Sequence, residues 1–264
     1  MISVSGLEVV FGAGTPLEKR ALRGVDLVVP AGQFVSVIGS NGAGKSTLLG
    51  SLAGDVKPTR GTIEIAGQDA ARLSGNGRAR AVARVFQDPL AGSCGALTIE
   101  ENLALAHARG KRRGLGLAVT SSRRELFRER LKELGLGLEN RLEDQMALLS
   151  GGQRQAVSLI MATLARADLL LLDEHTAALD PAMAEFVMSL TERVIGETGV
   201  TTLMVTHSMR QALDHGDRTV MLHEGKVVLD VSGDERRTMQ VEDLLHMFKR
   251  MRGQELDDDA LLIG

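Results

Sequence analysis

A chain of 264 residues with 44% hydrophobic content is long enough to bury one substantial core, or a core with a smaller subdomain, which excludes a disordered or fibrous protein. Thirty-one Lys and Arg against 34 Asp and Glu give a formal charge of −3, so no global positive field draws the chain to nucleic acid and no such partner is expected. A single cysteine, Cys94, excludes an internal disulfide framework and fits a reducing compartment, and the longest apolar runs fall far below the roughly 18 residues of a membrane span.

In chain order, Met1 to Val4 alternates and reaches Glu8 without the basic and apolar regions of an export leader, so none is expected. Between Leu7 and Val29, β-rich text broken by Gly12-Ala13-Gly14-Thr15-Pro16 predicts a small antiparallel layer. Phe34 to Ile38 reads as a buried strand, Gly39 to Gly44 as a loop and Lys45 to Ala53 as a helix stopped near Gly54. Thr62 to Ala66 returns to alternating β text, and Val82 to Phe86 is another buried strand ending at Gln87.

From Leu97 to Leu164 the pattern is helical almost throughout, with Leu126, Phe127, Leu131 and Leu134 on one face, and this block reads as an inserted helical subdomain. Strands resume at Leu169 to Leu172, Thr201 to Val205 and Thr219 to Leu222, with a helix from Pro181 to about Gly196. Such alternation predicts an α/β fold with a mainly parallel sheet and helices on both faces. Val241, Leu244, Leu245, Phe248 and Met251 form a late helical stripe expected to pack on the domain, and Glu255 with Asp257 to Asp259 gives a solvated acidic tail. The basic clusters Lys111-Arg112-Arg113 and Arg123-Arg124 read as a solvated helical face. The six His show no zinc spacing.

Gly39-Ser40-Asn41-Gly42-Ala43-Gly44-Lys45-Ser46, followed by Thr47, satisfies the phosphate-loop pattern G-x-x-x-x-G-K-[ST] between a strand and a helix. Glycines let backbone N–H groups converge on phosphate oxygens, and the helix N-terminus adds its dipole. Lys45 supplies a mobile charge for the β and γ phosphates, and Ser46 a hydroxyl for Mg²⁺. The run Leu169 to Leu172 then delivers Asp173 and Glu174 to the C-terminal edge of a strand, where α/β sheets bind ligands. Asp173 there suits a Mg²⁺ ligand, and Glu174 a general base for an attacking water.

Leu148-Leu149-Ser150-Gly151-Gly152-Gln153-Arg154-Gln155, ahead of an apolar helix from Ala156 to Ala165, offers a second anion cradle of hydroxyl, glycine N–H groups and helix N-terminus. A helix cap explains a bare Ser-Gly-Gly equally well. With the phosphate loop and the Asp173-Glu174 strand, however, this chain resembles the ATP-binding cassette (ABC) family, whose L-S-G-G-Q signature it contains in full. The resemblance runs from Leu7 to about Val231 and implies an ATP-hydrolysing phosphate-loop core with an N-terminal antiparallel β layer.

By that resemblance, Gln87 is the glutamine-loop residue that touches Mg²⁺ or the attacking water, Asp180 belongs to the loop that crosses a dimer, and His207 is the switch histidine at the γ phosphate. Phe11 takes the place of the aromatic stacked on adenine; with six Phe and no Trp or Tyr, its position is informative. His175 stands where the family commonly has Pro, which puts the rigidity of that loop in question. Residues 1–253 are expected to form one cassette, with core and β layer at about 1–95 and 166–235, a helical subdomain at about 96–165, a C-terminal helix at about 236–253 and the acidic tail at 254–264.

The family further implies ATP and Mg²⁺ as cofactors and a homodimer in which Ser150, Gly151, Gly152 and Gln153 of one copy close on the phosphate loop of the other. A cytoplasmic location on the inner face of the cell membrane, integral permease subunits and an extracytoplasmic solute-binding protein follow from the same resemblance. The text around Gln87 and from Glu174 to Asp180 is similar to bacterial importer ATPases linked to tryptophan, tyrosine or other amino acids. An ABC ATPase that drives iron-sulfur cluster assembly instead of transport fits the same length.

Overall fold

The computed structural model describes residues 1–111, 114 and 116–249. Alternating apolar residues at the N-terminus form two long antiparallel strands, β1 (Ile2–Phe11) and β2 (Lys19–Val29), with Ile2 opposite Val29 and Phe11 opposite Lys19. β3 (Phe34–Gly39) leads through the glycine loop into α1 (Lys45–Ala53). β4 (Arg60–Ile65) and the short β5 (Gln68–Asp69) return to the first sheet, which has the order β2-β1-β4-β5 and is antiparallel throughout.

After α2 (Gly75–Ala81) and β6 (Val82–Val85), the predicted helical block is divided into α3 (Ile99–His107), α4 (Ser121–Lys132) and α5 (Gly151–Leu164). Glycine-bearing text at 114–116 and 135–137 and two short 3-10 turns separate them. Thr98 caps α3 in a reciprocal box with Glu101, and the Thr120 side chain caps α4. Phe127, Leu131 and Leu134 are buried as their spacing predicted, and Arg124 ties α4 to α3 by a two-point contact with Glu100 at 2.6 and 2.7 Å. Arg123 donates to the carbonyls of Leu117 and Ala118, so both arginines of that pair are engaged within the chain; Arg112 and Arg113 lie outside the described residues.

β7 (Leu169–Asp173), α6 (Pro181–Thr198), β8 (Thr201–Val205), α7 (Met209–Asp214), β9 (Arg218–His223), β10 (Lys226–Ser232) and α8 (Gly233–Thr238) complete the chain order, and residues 241–249 are helical. The second sheet has the order β10-β9-β3-β8-β7-β6, parallel except for the β10-β9 hairpin. The four leucines of β7 are all buried because both faces are covered. Leu169 and Leu171 join Val35, Leu203 and Leu48 in one core; Leu170 and Leu172 join Val85, Met204 and Leu159 in the other. Leu244 and Phe248 pack with Ile38 and Met221 in a third cluster, while Met251 and the acidic tail lie outside the described residues.

The fold differs from the sequence expectation at two informative places. α5 begins at Gly151, five residues before the apolar run, because Ser150 and Gln153 form a reciprocal capping box that starts the helix early. β10, which the sequence reading omitted, is an edge strand in which only Val231 is fully buried, so its apolar residues do not mark a core-facing run.

Candidate nucleotide site

Strands β3, β8 and β7 are neighbours in the parallel sheet, so the segments leaving their C-terminal ends meet at one place. Those segments are the glycine loop after β3, Glu174 after β7 and His207 after β8. A cavity of about 230 Å³ forms there, lined by Phe11, Asn41 to Thr47, Glu174 and His207, together with Lys19 and Ala21. Residues scattered over nearly 200 positions of sequence thus share one pocket, and most of the expected ATP contacts are among them.

The loop is built by backbone constraint. Gly44 caps α1 at φ 102°, and a Cβ there would lie 2.6 Å from the carbonyl oxygen of Ala21, so glycine is required on both counts. Lys45 is 5% exposed, and its Nζ donates to the carbonyls of Gly39 at 2.7 Å and Ser40 at 2.9 Å. Burial lowers the Lys45 ammonium below its ordinary pKa, against the opposing pull of Glu174 and then Asp173. Ser46 is exposed at the first turn of α1, next to Thr47.

Glu174 is held at φ 46°, a left-handed conformation costly for a residue with a side chain, while its N–H donates to Val205 at 3.0 Å. Its Oε1 lies 2.6 Å from Nε2 of His207, with the Glu174 side chain 10% exposed and that of His207 48% exposed. The next residue, His175, is buried and its Nε2 lies 3.1 Å from Thr191 Oγ1. Thr191 gives its own proton to the carbonyl of Val187, so His175 Nε2 carries the donating hydrogen. The loop after Glu174 is therefore tied to α6 by a hydrogen bond where a proline ring would have stiffened it.

Asp173 presents Oδ2 to Arg84 Nη2 at 2.7 Å. Neither Asp173 nor Gln87 lines the cavity; Gln87 is exposed just beyond β6. Ser46, Gln87 and Asp173 are oxygen donors of the hard kind that Mg²⁺ prefers. Among the described residues, no cluster of three or more His, Cys, Asp or Glu side chains holds an ion unaided. A sparse oxygen set of this kind suits Mg²⁺, which takes one or two protein ligands and completes its shell with phosphate oxygens and water.

The signature residues stand elsewhere. Ser150 and Gly151 are exposed at the start of α5, and Ser150 Oγ accepts from Gln153 N at 3.2 Å, which leaves the hydroxyl proton free to be donated. Gly152 is buried against α6, where a Cβ would fall 2.1 Å from Met183 Cγ. Asp180 caps α6 through Oδ1 and the N–H of Met183 at 3.1 Å. The sequence reading missed Lys19, whose only signal was its place opposite Phe11 across the first hairpin, and Arg84, hidden within a strand.

A phosphate loop, a carboxylate and a histidine at the carboxyl edge of a parallel sheet define an ATPase of the phosphate-loop class. Its family follows from comparison: the ABC transporter family matches residues 22–177, and the chain belongs to the ATP-binding subunits of that family. It is an ATPase of the ABC type. The chain is 45% identical over 218 residues, 83% of its length and 86% of the other, to a tyrosine transport ATP-binding protein of Clostridioides difficile strain R20291. It is 39% identical over 231 residues, 87% of its length and 76% of the other, to an aliphatic sulfonates import ATP-binding protein of Rhizobium johnstonii. A dimeric ATP-binding cassette solved in a post-hydrolysis state with ADP and Pi matches at TM-score 0.76 and 29% identity, covering 88% of this chain and 98% of that one.

Proposed function

We propose that this chain powers amino-acid import, with an aromatic amino acid as the solute, through a separate membrane permease fed by an extracytoplasmic solute-binding protein. The 2.6 Å contact between Glu174 and His207 at the mouth of the phosphate loop carries the enzymatic part of the reading. In it, the loop from Gly39 to Thr47 and Lys45 grip the phosphates, and Phe11 stacks on the base. Glu174 takes the proton of the attacking water, while His207 holds Glu174 in place and meets the γ phosphate. Ser46, Asp173 and Gln87 would hold Mg²⁺, which would supply positive charge at the phosphate oxygens. Ser150 to Gln153 complete the site of a second copy.

The solute rests on the tyrosine transport relative, against the sulfonate importers that also match. No helix among the described residues is long and apolar enough to cross a membrane, so the reading places the chain on the inner face of the membrane through its permease. Glu174→Gln keeps the shape but removes the base, and turnover is expected to fall at least about a hundredfold. Near-normal steady-state hydrolysis refutes the role of Glu174. Uptake of labelled tyrosine, tryptophan and an alkanesulfonate in cells lacking the chain tests the solute: loss of sulfonate uptake alone refutes the amino-acid reading.

A further inference from the structure

We infer that Arg84 is a positioning residue for the metal-binding carboxylate, an inference that rests on the proposed role of Asp173. Arg84 lies within β6, three residues before Gln87, and its side chain is only 17% exposed. Its guanidinium is fixed on three sides. Nη2 donates to Asp173 Oδ2 at 2.7 Å, Nη1 donates to Asp55 Oδ2 at 2.8 Å, and the Phe86 ring lies against its face at 4.5 Å. Each anchor restricts a different motion: the two carboxylates fix the fork in its plane, and the ring fixes the tilt.

The consequence falls on Asp173. Its side chain is 14% exposed, so an ionised carboxylate there needs a partner, and Arg84 supplies one through Oδ2. That bond holds the carboxylate through Oδ2 and leaves Oδ1 available to a cation. Asp55 stands just past the end of α1, the helix that begins at Lys45, and β6 pairs with β7 in register, Arg84 beside Leu171. One guanidinium therefore links the far end of the phosphate-loop helix, the carboxylate at the end of β7 and the strand that delivers Gln87. Groups that orient a ligand in this way typically matter about 10- to 100-fold to metal affinity. A lysine keeps the charge but cannot reach both carboxylates with a planar fork.

The experiment uses the full chain and a fluorescent ATP analogue, measuring its binding across a Mg²⁺ titration and separately in EDTA, with thermal melting alongside. Arg84→Met is expected to raise the Mg²⁺ concentration at half-saturation at least about tenfold while leaving the EDTA affinity within about twofold. Arg84→Lys is expected to recover less than half of that loss on a logarithmic scale. Asp55→Asn, at a side chain 63% exposed, removes one anchor with little risk to folding and is expected to give a smaller rise of about two- to fivefold. An unchanged Mg²⁺ midpoint in Arg84→Lys and Asp55→Asn overturns the inference, as does a lowered melting temperature in Arg84→Met with no change in Mg²⁺ dependence. Asp173→Asn separates the two layers: if it leaves the midpoint unmoved, the metal role of Asp173 falls and the role of Arg84 falls with it. If Asp173→Asn shifts the midpoint and the Arg84 variants do not, only the inference fails.

Discussion

Lys45 and His175 show how burial sets the character of single side chains here. The Lys45 ammonium is drawn between two carbonyls of its own loop, with Glu174 and Asp173 near enough to oppose the cost of burial. An ammonium so placed makes charge-assisted bonds that a methyl group cannot replace, each worth about 1.5–3 kcal/mol. Lys45→Ala is therefore expected to weaken ATP binding at least about tenfold in a fluorescence titration, and equal affinity would show the phosphates to lie elsewhere. His175 responds to pH instead. Burial, helped by the nearby His215, which itself contacts Glu192 at 2.8 Å, pushes the His175 imidazole down from 6.5 to about 4. The folded protein refuses a proton that the unfolded chain accepts, so stability is complete above pH 6.5 and drains away as pH falls towards 4. At about 1.4 kcal/mol per pH unit, the drop from 6.5 to about 4 amounts to about 3.5 kcal/mol. His175→Gln keeps an amide donor for Thr191 without the titration, so its melting temperature is expected to fall less steeply between pH 6.5 and 4.5 than that of the parent. Parallel slopes in the two proteins would remove His175 as the cause.

At the scale of elements, the signature glycine has a second reason to be glycine. Gly152 lets α5 lie so close to α6 that an added Cβ would meet Met183 Cγ at 2.1 Å, within the first turn capped by Asp180. Gly152→Ala is expected to cost about 1–3 kcal/mol, the usual cost of overpacking, and Met183→Ala in the same chain is expected to restore much of it. Additive losses in that double-mutant cycle, read by denaturant melts, would show no coupling. Such packing explains why some of the fold was legible in sequence and some was not. β7 announced itself because a strand covered on both faces is written in unbroken apolar residues, β8 because its two β-branched threonines lead into Leu203, Met204 and Val205, and α1 matched its expected bounds because the glycine loop and Gly54 frame it. α5 was read too short because its first turn is held by a capping box of polar side chains, which periodicity does not see. β10 alternates at a sheet edge with little burial. The phosphate loop and Glu174 were found from local pattern and His207 from the family resemblance, yet their meeting in one cavity is a property of strand order, and Arg84 and Thr191, which hold the neighbouring Asp173 and His175, are distant in sequence.

For the whole molecule the decisive observation is a separation. The cavity at Lys45 is lined by the phosphate loop, Glu174 and His207, whereas Ser150 and Gly151 stand exposed on a different element and do not line it. An exposed serine that already accepts from Gln153 and still holds a proton to donate, at a helix N-terminus, is suited to an anion brought from outside the chain. In the reading proposed above, a second copy carrying ATP on its own loop would supply that anion, and a reciprocal arrangement would bury two nucleotides in one two-fold interface. Contacts that need the γ phosphate make such a dimer conditional on ATP and reversible on hydrolysis. Glu174→Gln with ATP and Mg²⁺ is therefore expected to run in light scattering at twice the 28.2 kDa of one chain, and at the mass of one chain with ADP. Ser150→Arg places a cation at the positive end of α5 and a bulky side chain in the path of the partner's phosphate, at a capping cost of about 1 kcal/mol that should leave the chain folded. In the Glu174→Gln background it should abolish the ATP-dependent dimer while single-chain nucleotide affinity stays within about threefold, because the cavity at Lys45 does not include Ser150. A dimer that forms equally with Ser150→Arg, or equally without nucleotide, would mean that the two halves of the site do not meet across copies of this chain.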